Sequence, residues 1–329
     1  MTSKSNSKLI GGEQEFAPLD LYFGTTNSGR SSLRWILESM RLKGKRILIP
    51  DYLCQAVVDV LEAYNIEVSF YTVLSDLSFD LSILSADVDA LYVVRYFGYS
   101  TAALQAVLAR SRLPLIIDDV FEIQPPGISS EVHWCYFNSL RKISAVADYS
   151  QVISNRPLSI ISKLYLNDFT CAKYLAKARK YDFLQRGLGR EVDYLDQFVY
   201  AEQILDTEQG IFEASAKSCY VANLFFQKLS EETAIRKANL ELAKSLLERK
   251  LYIDIKPAFP SFLPLWCKRR DVVRKLLMEK DIFLAIHWPT LQVARNNLSD
   301  HVLSLPLDSR YNSQDIERVC NLLRSFAHE

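Results

Sequence analysis

The chain has 329 residues, of which 49% are hydrophobic and 24% charged, which is enough for one large domain and a smaller one. Its 39 basic and 39 acidic residues balance, so it lacks the basic excess of a nucleic-acid-binding protein. No run approaches the roughly 18 apolar residues of a membrane span, and the polar start "MTSKSNSKLIGGEQEF" contains no signal-peptide core. We therefore expect a soluble cytoplasmic protein with no nucleic-acid or membrane partner.

The first half of the chain alternates short β-rich runs with helical segments. Helices are predicted at about 31–38, 52–63 and 101–110. The β-rich runs are "RILIP" (46–50), "EVSFYTV" (67–73), "DALYVVRYFG" (89–98), "LPLIIDD" (113–119), "HWCYFNSL" (133–140) and "SQVIS" (150–154). This alternation predicts an α/β fold with a mostly parallel sheet covered by helices, and ligands on such sheets bind at the carboxyl ends of the strands.

After residue 159 the pattern changes to long amphipathic stretches and then to a mixed region. The amphipathic stretches cover about 160–185, 192–207 and 212–249. The mixed region is predicted to contain strands at 251–257, 262–267 and 282–288 and helices at 270–279 and 313–326. We predict three parts: an N-terminal arm (1–20), a large domain (21–230) and a small C-terminal α+β domain (231–329).

The six cysteines and four histidines are not spaced as metal ligands. No two cysteines form a CxxC pair, and the histidines show no HxxxH spacing. We expect reduced cysteines, mostly in the core, and no metal site.

Three features lie where an α/β fold places its ligands. "NSGRSS" (27–32) is a glycine-centred turn into a helix, which by itself is typical of an ordinary Ser N-cap and also suits a phosphate. Asp118 and Asp119 end a buried strand, where they either meet a cation or are solvated in a loop. Lys142 follows the next strand and is either a surface residue or an amine placed to react with an aldehyde.

The order of these features favours one cofactor. A phosphate cup, a carboxylate after a middle strand and a lysine one strand later are what pyridoxal 5'-phosphate (PLP) requires. The cup binds the phosphate, the carboxylate keeps the pyridine nitrogen protonated, and the lysine binds the aldehyde.

At these residues the chain resembles the DegT/StrS sugar aminotransferases, a family of fold-type I PLP enzymes. The resemblance covers most of residues 20–155 and, more weakly, 230–327. Its segments are "NSGRSSLRWIL" (27–37), "ILIPDYLCQAVVDVL" (47–61), "VSFYTV" (68–73), "YVVRYFGY" (92–99), "LIIDDVFE" (115–122), "SLRK" (139–142), "IRKANLELAKSLL" (235–247) and "VLSLPLDSRY" (302–311).

The resemblance implies a role for each matched position. Lys142 would bind the cofactor covalently, and Asp119 would pair with its pyridine nitrogen. The residues implied around the phosphate are Ser28, Gly29, Arg30 and Ser139, and those implied around the ring are Tyr52, Cys54 and Glu122.

The chain also departs from the family pattern. Cys54 stands where the family has an aromatic residue that stacks on the ring, and Glu122 stands where it has a Gln or His donor. Tyr149-Ser150 replaces a glycine pair. The segment nearest to the family's Gly-x-Asn-x-Arg motif, which reaches the partner subunit's phosphate, is "GLGRE" (187–191).

The resemblance implies a homodimeric PLP-dependent aminotransferase that acts on a keto group of a nucleotide-linked sugar, in polysaccharide or secondary-metabolite biosynthesis. The departures leave two alternatives open: a non-catalytic or assembly protein that keeps the fold, and a PLP-dependent dehydratase or lyase. In "HWP" (287–289), His287 is either a packed polar residue or a residue at the substrate mouth.

Overall fold

The fold is built around a seven-stranded sheet, seen in a computed structural model that describes residues 12–13 and 20–326. The strands of this sheet are β1 (Tyr22–Thr26), β2 (Arg46–Pro50), β3 (Glu67–Tyr71), β4 (Ala90–Val94), β5 (Leu115–Asp118), β6 (Trp134–Phe137) and β7 (Ser150–Ser154). Their order across the sheet is β1-β7-β6-β5-β4-β2-β3. Only β7 runs against the others, because it pairs antiparallel with both β1 and β6 while the remaining pairs are parallel. The carboxyl ends of the six remaining strands therefore lie at one edge.

Helices cover the sheet and form the rest of the chain. They are α1 (Gly29–Ser39), α2 (Gln55–Ala63), α3 (Ala102–Arg110), α4 (Asn167–Arg186), α5 (Glu191–Thr207), α6 (Ala216–Gln227), α7 (Leu229–Leu246), α8 (Arg270–Met278), α9 (Leu298–His301) and α10 (Ser313–Phe326). None of the helices in the described part of the chain has the length and apolar character needed to span a membrane.

The predicted fold class is confirmed, since a mostly parallel sheet lies between helices and a smaller mixed region follows it. The sequence did not predict β1, whose residues "YFGTT" contain a glycine and only one fully buried side chain. This strand forms because it pairs along its whole length with β7, from Tyr22 opposite Ser154 to Thr26 opposite Ser150.

Two strands predicted in the C-terminal region are wrong. Residues 251–257 form the end of a short turn and an irregular segment with one β-bridge, between Tyr252 and Leu265. The pairing does not continue to Ile255, whose carbonyl oxygen accepts from the Lys244 ammonium at 2.7 Å. Residues 282–288 make a single β-bridge, between Ala285 and Ser304. Two pairs of strands lie outside the seven-stranded sheet: β8 (Leu164–Tyr165) with β9 (Phe212–Glu213), and β10 (Phe262–Trp266) with β11 (Val302–Pro306). Of these four strands only β10 was predicted.

The buried apolar side chains form separate hydrophobic cores. The largest core lies around the seven-stranded sheet, and a second, built from residues 240–323, lies between α7, α8, α10 and the β10–β11 pair. The proposed domain division at residue 230 stays a prediction.

Helices α4 and α5 form a hairpin with a small core of its own. That core consists of Phe169, Ala172, Ala201 and Leu205. Polar contacts join the hairpin to the sheet domain: the Thr170 hydroxyl donates to the buried Asp148 carboxylate at 2.9 Å, and Asp148 also accepts from the Ser215 amide at 3.0 Å. The hairpin is thereby fixed beside the edge where the strands end.

Candidate active site at the carboxyl edge of the sheet

The turn that enters α1 is buried and tightly packed. Ser28 is the N-cap, and its hydroxyl oxygen accepts a hydrogen bond from the Ser31 amide at 3.3 Å. A Cβ atom on Gly29 would lie 3.3 Å from the Phe137 ring, so a residue without a side chain fits best here. The first turn of a helix presents amides with no partner inside the helix, and these attract anions.

A chain of hydroxyl groups joins this turn to the loop that carries Lys142. The Thr26 and Ser32 hydroxyl oxygens are 2.7 Å apart, and the Ser32 and Ser150 oxygens 2.6 Å apart. The Ser150 hydroxyl in turn donates to the carbonyl oxygen of Asn138. The start of α1 and the Asn138–Ser139 segment therefore lie side by side.

Several buried donors at this junction have no hydrogen-bond partner in the described chain. They are Asn27 Nδ2, Arg30 Nη1, Ser139 Oγ and Arg141 Nε. Since buried polar groups are normally paired, unpartnered donors from two adjoining segments indicate an anion-binding site.

Lys142 ends a short helical turn, Leu140–Lys142, that follows β6. Its side chain is accessible, yet the protein packed around it lowers the pKa of its amine to about 8, and the Arg141 cation adds to this effect. An accessible amine with a lowered pKa is a nucleophile at moderate pH.

Asp118 and Asp119, at the end of β5, are both buried, and each has one carboxylate oxygen without a partner. Asp118 accepts from the Tyr92 hydroxyl at 2.6 Å, and burial raises the pKa of its carboxyl to about 6 while Lys142 opposes the rise. Asp119 is fully buried and pairs with Arg95. The Oδ1 atoms of both aspartates have no partner in the described chain, so each could accept from a bound group.

Arg95 binds two carboxylates at once. Its Nη1 lies 2.8 Å from Asp119 Oδ2 and its Nη2 lies 3.0 Å from Glu122 Oε2. Glu122 also accepts from the Ile123 and Phe259 amides, at 3.2 and 3.3 Å. Burial raises the pKa of Asp119 well above its usual range and that of Glu122 to about 7, and Arg95 opposes both shifts. The Glu122 carboxylate is therefore engaged by its own chain.

Tyr52 and Cys54, two of the three residues expected near a cofactor ring, lie in different surroundings. Cys54 is half-buried and lies close enough to Lys142 to raise the pKa of the lysine amine. Tyr52 is buried, with its ring 5.2 Å from that of Tyr96 and 5.3 Å from that of Trp288. The Tyr52 ring is thus part of an aromatic cluster, and Cys54 is the residue of this pair that lies beside Lys142.

His287 approaches the site from the C-terminal region. Its Nδ1 lies 2.8 Å from Ser304 Oγ, and its ring is 4.6 Å from that of Phe121. Burial, followed by the charge of Lys142, lowers the pKa of the imidazole to about 3, so the ring is neutral at physiological pH.

The sequence did not identify Arg95 or Glu202 as part of this region, and it identified Arg141 only as the cation beside Lys142. Arg95 directly follows the fully buried strand β4, as Asp119 directly follows β5, so its position in the sequence could have identified it. Glu202 lies in the middle of α5 and has no such signal; its Oε1 binds Arg141 Nη1 at 2.8 Å. In the described part of the chain no three His, Cys, Asp or Glu side chains are grouped to hold a metal ion.

The residues present fit PLP. Unpartnered donors around Ser139 match a phosphate, and an unpartnered oxygen of Asp119 matches a pyridinium N–H. The Lys142 amine lies three residues after Ser139, at the same edge of the sheet. Cys54 and the engaged Glu122 do not reproduce the stacking ring and the neutral donor that the resemblance implied.

Solved structures with a similar architecture include aminotransferases. The chain has the fold of a DegT DnrJ EryC1 StrS aminotransferase from Brucella abortus (13% identity, TM-score 0.63, 94% of this chain and 86% of that chain). It is also similar to Helicobacter pylori PseC, an aminotransferase involved in the biosynthesis of pseudoaminic acid (12%, TM-score 0.64, 92% and 86%). A third is a Bacillus cereus protein assigned as a PLP-dependent aminotransferase (15%, TM-score 0.60, 92% and 85%). No protein-family model and no curated protein matches the chain. The predicted family fold is thereby confirmed.

Proposed function

We propose that this protein is a PLP-dependent aminotransferase that transfers an amino group to a keto group of a nucleotide-linked sugar. One observation carries the proposal: the accessible amine of Lys142 lies at the strand edge with unpartnered phosphate-type donors and unpartnered carboxylate oxygens. The sugar substrate is inferred from fold neighbours that include a sugar aminotransferase and a protein solved with its TDP-sugar product.

Each residue would have a defined part in this reaction. Bound PLP supplies the electron sink that lets an amino group leave a donor and join a keto acceptor. The Lys142 amine would hold the cofactor and, when displaced by the incoming amine, move a proton at its Nζ. Asp119 would hold a proton on the ring nitrogen, and the donors around Ser28 and Ser139 would bind the phosphate.

The absorption spectrum of the purified protein tests this function. With added PLP we expect a visible band that borohydride abolishes, because reduction fixes the cofactor to the Lys142 amine. Lys142→Ala should show no protein-bound band and no covalent label after borohydride, while Lys177→Ala, which removes another partly buried lysine with a pKa lowered to about 8, should keep both. A wild-type protein that binds no PLP would refute the enzyme and support the non-catalytic alternative.

A dehydratase or lyase would give the same spectrum, so turnover separates the two reactions. In transamination, an amino donor added alone should make the visible band of the bound cofactor disappear and should release the matching keto acid. Elimination does not consume the donor. We expect consumption of a donor amino acid in stoichiometric amounts.

The proposal includes a homodimer, and an exposed apolar surface supports it. The α4–α5 hairpin exposes a row of large apolar side chains: Tyr181, Leu184, Leu188, Val192, Leu195 and Val199. Leu184 and Val199 are each 57% exposed. The spacings 192/195/199 and 181/184/188 place apolar side chains on one face of each helix, and exposed apolar faces of this kind are typical of a protein interface.

Light scattering tests the dimer. Leu184→Asp should weaken self-association at least about 100-fold, because burying an unpaired carboxylate costs several kcal/mol. Val293→Asp places the same charge on an equally exposed residue (56%) outside the hairpin and should leave the molar mass unchanged. A wild-type monomer, or equal effects of the two substitutions, would contradict the hairpin interface.

A further inference from the structure

Two arginines beside the candidate site each form one ion pair and keep one buried donor without a partner. Arg141, the residue before Lys142, binds Glu202 Oε1 through Nη1 at 2.8 Å, but its Nε is buried without a partner. Arg30, in the first turn of α1, binds Asp206 Oδ1 through Nη2 at 2.6 Å, but its Nη1 is buried without a partner. Each guanidinium is fixed by one carboxylate and keeps an unpartnered donor.

Helix α5 holds these arginines next to each other. Glu202 and Asp206 are separated by four residues on that helix, so their side chains are neighbours on one face, with Cβ atoms about 5–6 Å apart. The Lys173 ammonium binds the same Glu202 oxygen as Arg141, at 2.5 Å. The positions of Arg30 and Arg141 are therefore set by a helix more than 50 residues away from either in the chain.

The cluster has more positive than negative charge. Arg30, Arg141 and Lys173 are faced by Glu202 and Asp206, and Lys142 adds a further amine beside Arg141. Excess charge in a partly buried cluster is unfavourable unless an anion balances it. A phosphate dianion would supply that charge and would accept from the planar donors of both guanidinium groups.

We propose that Arg30 and Arg141 form a clamp for a phosphate monoester, and that this phosphate is the one carried by the cofactor. The inference rests on the proposed function and assigns to Arg141 a role that the sequence did not suggest. The cofactor is favoured over a phosphorylated substrate as the source, because the unpartnered Ser139 hydroxyl and the first turn of α1 belong to the same group of donors. The phosphate would then be neutralised within one chain.

Comparison of PLP with pyridoxal, which has the same aldehyde but no phosphate, isolates this contact. The affinity of each is measured from the visible band in a titration of wild type, Arg30→Met, Arg141→Met and Arg141→Lys. We expect each Met substitution to weaken PLP about 10- to 100-fold while changing pyridoxal less than about 3-fold, as expected for loss of charge-assisted hydrogen bonds. Arg141→Lys keeps a positive charge opposite Glu202, so it separates loss of the clamp from a folding defect. It should still lower the affinity for PLP at least about 5-fold, because lysine lacks the planar fork of donors.

Arg46→Met is the matched control, since Arg46 pairs with Asp87 at 3.1 Å at the amino end of β2, far from the strand edge that carries Lys142. It should leave both affinities unchanged. Equal losses for PLP and pyridoxal, or no loss for PLP, in Arg141→Met and Arg30→Met would overturn the clamp. A wild-type protein that forms no band with either aldehyde would instead overturn the proposed function.

Discussion

Replacement of Asp119 by Asn is expected to lower the rate constant of transamination by about 10²–10³, the usual effect of removing one charge that stabilises a transition state. The cofactor band should persist, because Lys142 is unchanged. The physical reason is that an amide cannot supply the negative charge that keeps a ring nitrogen protonated, so electrons are drawn less strongly from the reacting carbon. Single-turnover absorbance with an amino donor that is active in the wild type measures this rate.

Asp118→Asn is the matched comparison for this prediction. It makes the same substitution one residue earlier, at a carboxylate that is also buried, also has an unpartnered oxygen and accepts from Tyr92. We expect an effect smaller than about 10-fold, because the charge of Asp119 remains in place. The reverse ranking of the two variants would transfer the role to Asp118, whose carboxylate interacts with the charge of Lys142.

Replacement of Arg95 by Met is expected to cost about 3–5 kcal/mol of unfolding free energy at pH 8, because it leaves buried carboxylates without their cation. Asp119 is 0% exposed and Glu122 is 1% exposed, so water cannot compensate for the loss. Urea denaturation measures the change. Arg95→Met/Glu122→Gln should recover part of the stability, since it removes one of the uncompensated charges.

The stability defect of Arg95→Met should depend on pH in a defined direction. The pKa of Glu122 in the folded protein, about 7, lies above its ordinary value of 4.5, and that of Asp119 is also raised. Folding therefore takes up protons, so these groups destabilise the fold least below about pH 4.5 and increasingly as the pH rises through about 7.

Without Arg95 the raised pKa values should rise further, because Arg95 opposes both shifts. The deficit relative to wild type should therefore be smaller at pH 5 than at pH 8, by at least about 1 kcal/mol. A deficit that is the same at both pH values would mean that lost packing, and not unpaired charge, is the cause.

The prediction from sequence succeeded where local pattern decides structure. The predicted strands 46–50 and 150–154 match β2 and β7, and the final helix predicted at 313–326 matches α10, because continuous β-rich runs and a 3.6-residue apolar period are visible in a short window. It failed at 251–257 and 282–288, where each segment makes a single β-bridge with a neighbouring strand and does not continue the pairing. Side chains such as Lys244 bind the backbone there, and no local pattern shows this.

The site was partly visible for the same reason. Asp119 ends one β-rich run and Lys142 follows the next, and the carboxyl ends of parallel strands meet at one edge, so chain order alone placed them together. Ser28 was visible only as part of a glycine-centred turn into a helix, since the strand before it was not predicted. Cys54 and Glu122 were identified only through the resemblance to the family, and their surroundings were not predicted: Glu122 faces Arg95 and the Phe259 amide.

The sequence by itself therefore determined the fold class and the line of polar residues along the edge of the sheet, because both follow from short-range periodicity and chain order. Tertiary structure decided which charges meet there. The Arg141–Glu202 pair joins residues 61 positions apart, and Arg30 reaches the same helix through Asp206. Such ion pairs depend on how α5 packs against the strand edge, and this packing is set by the α4–α5 core and its polar contacts to the sheet domain.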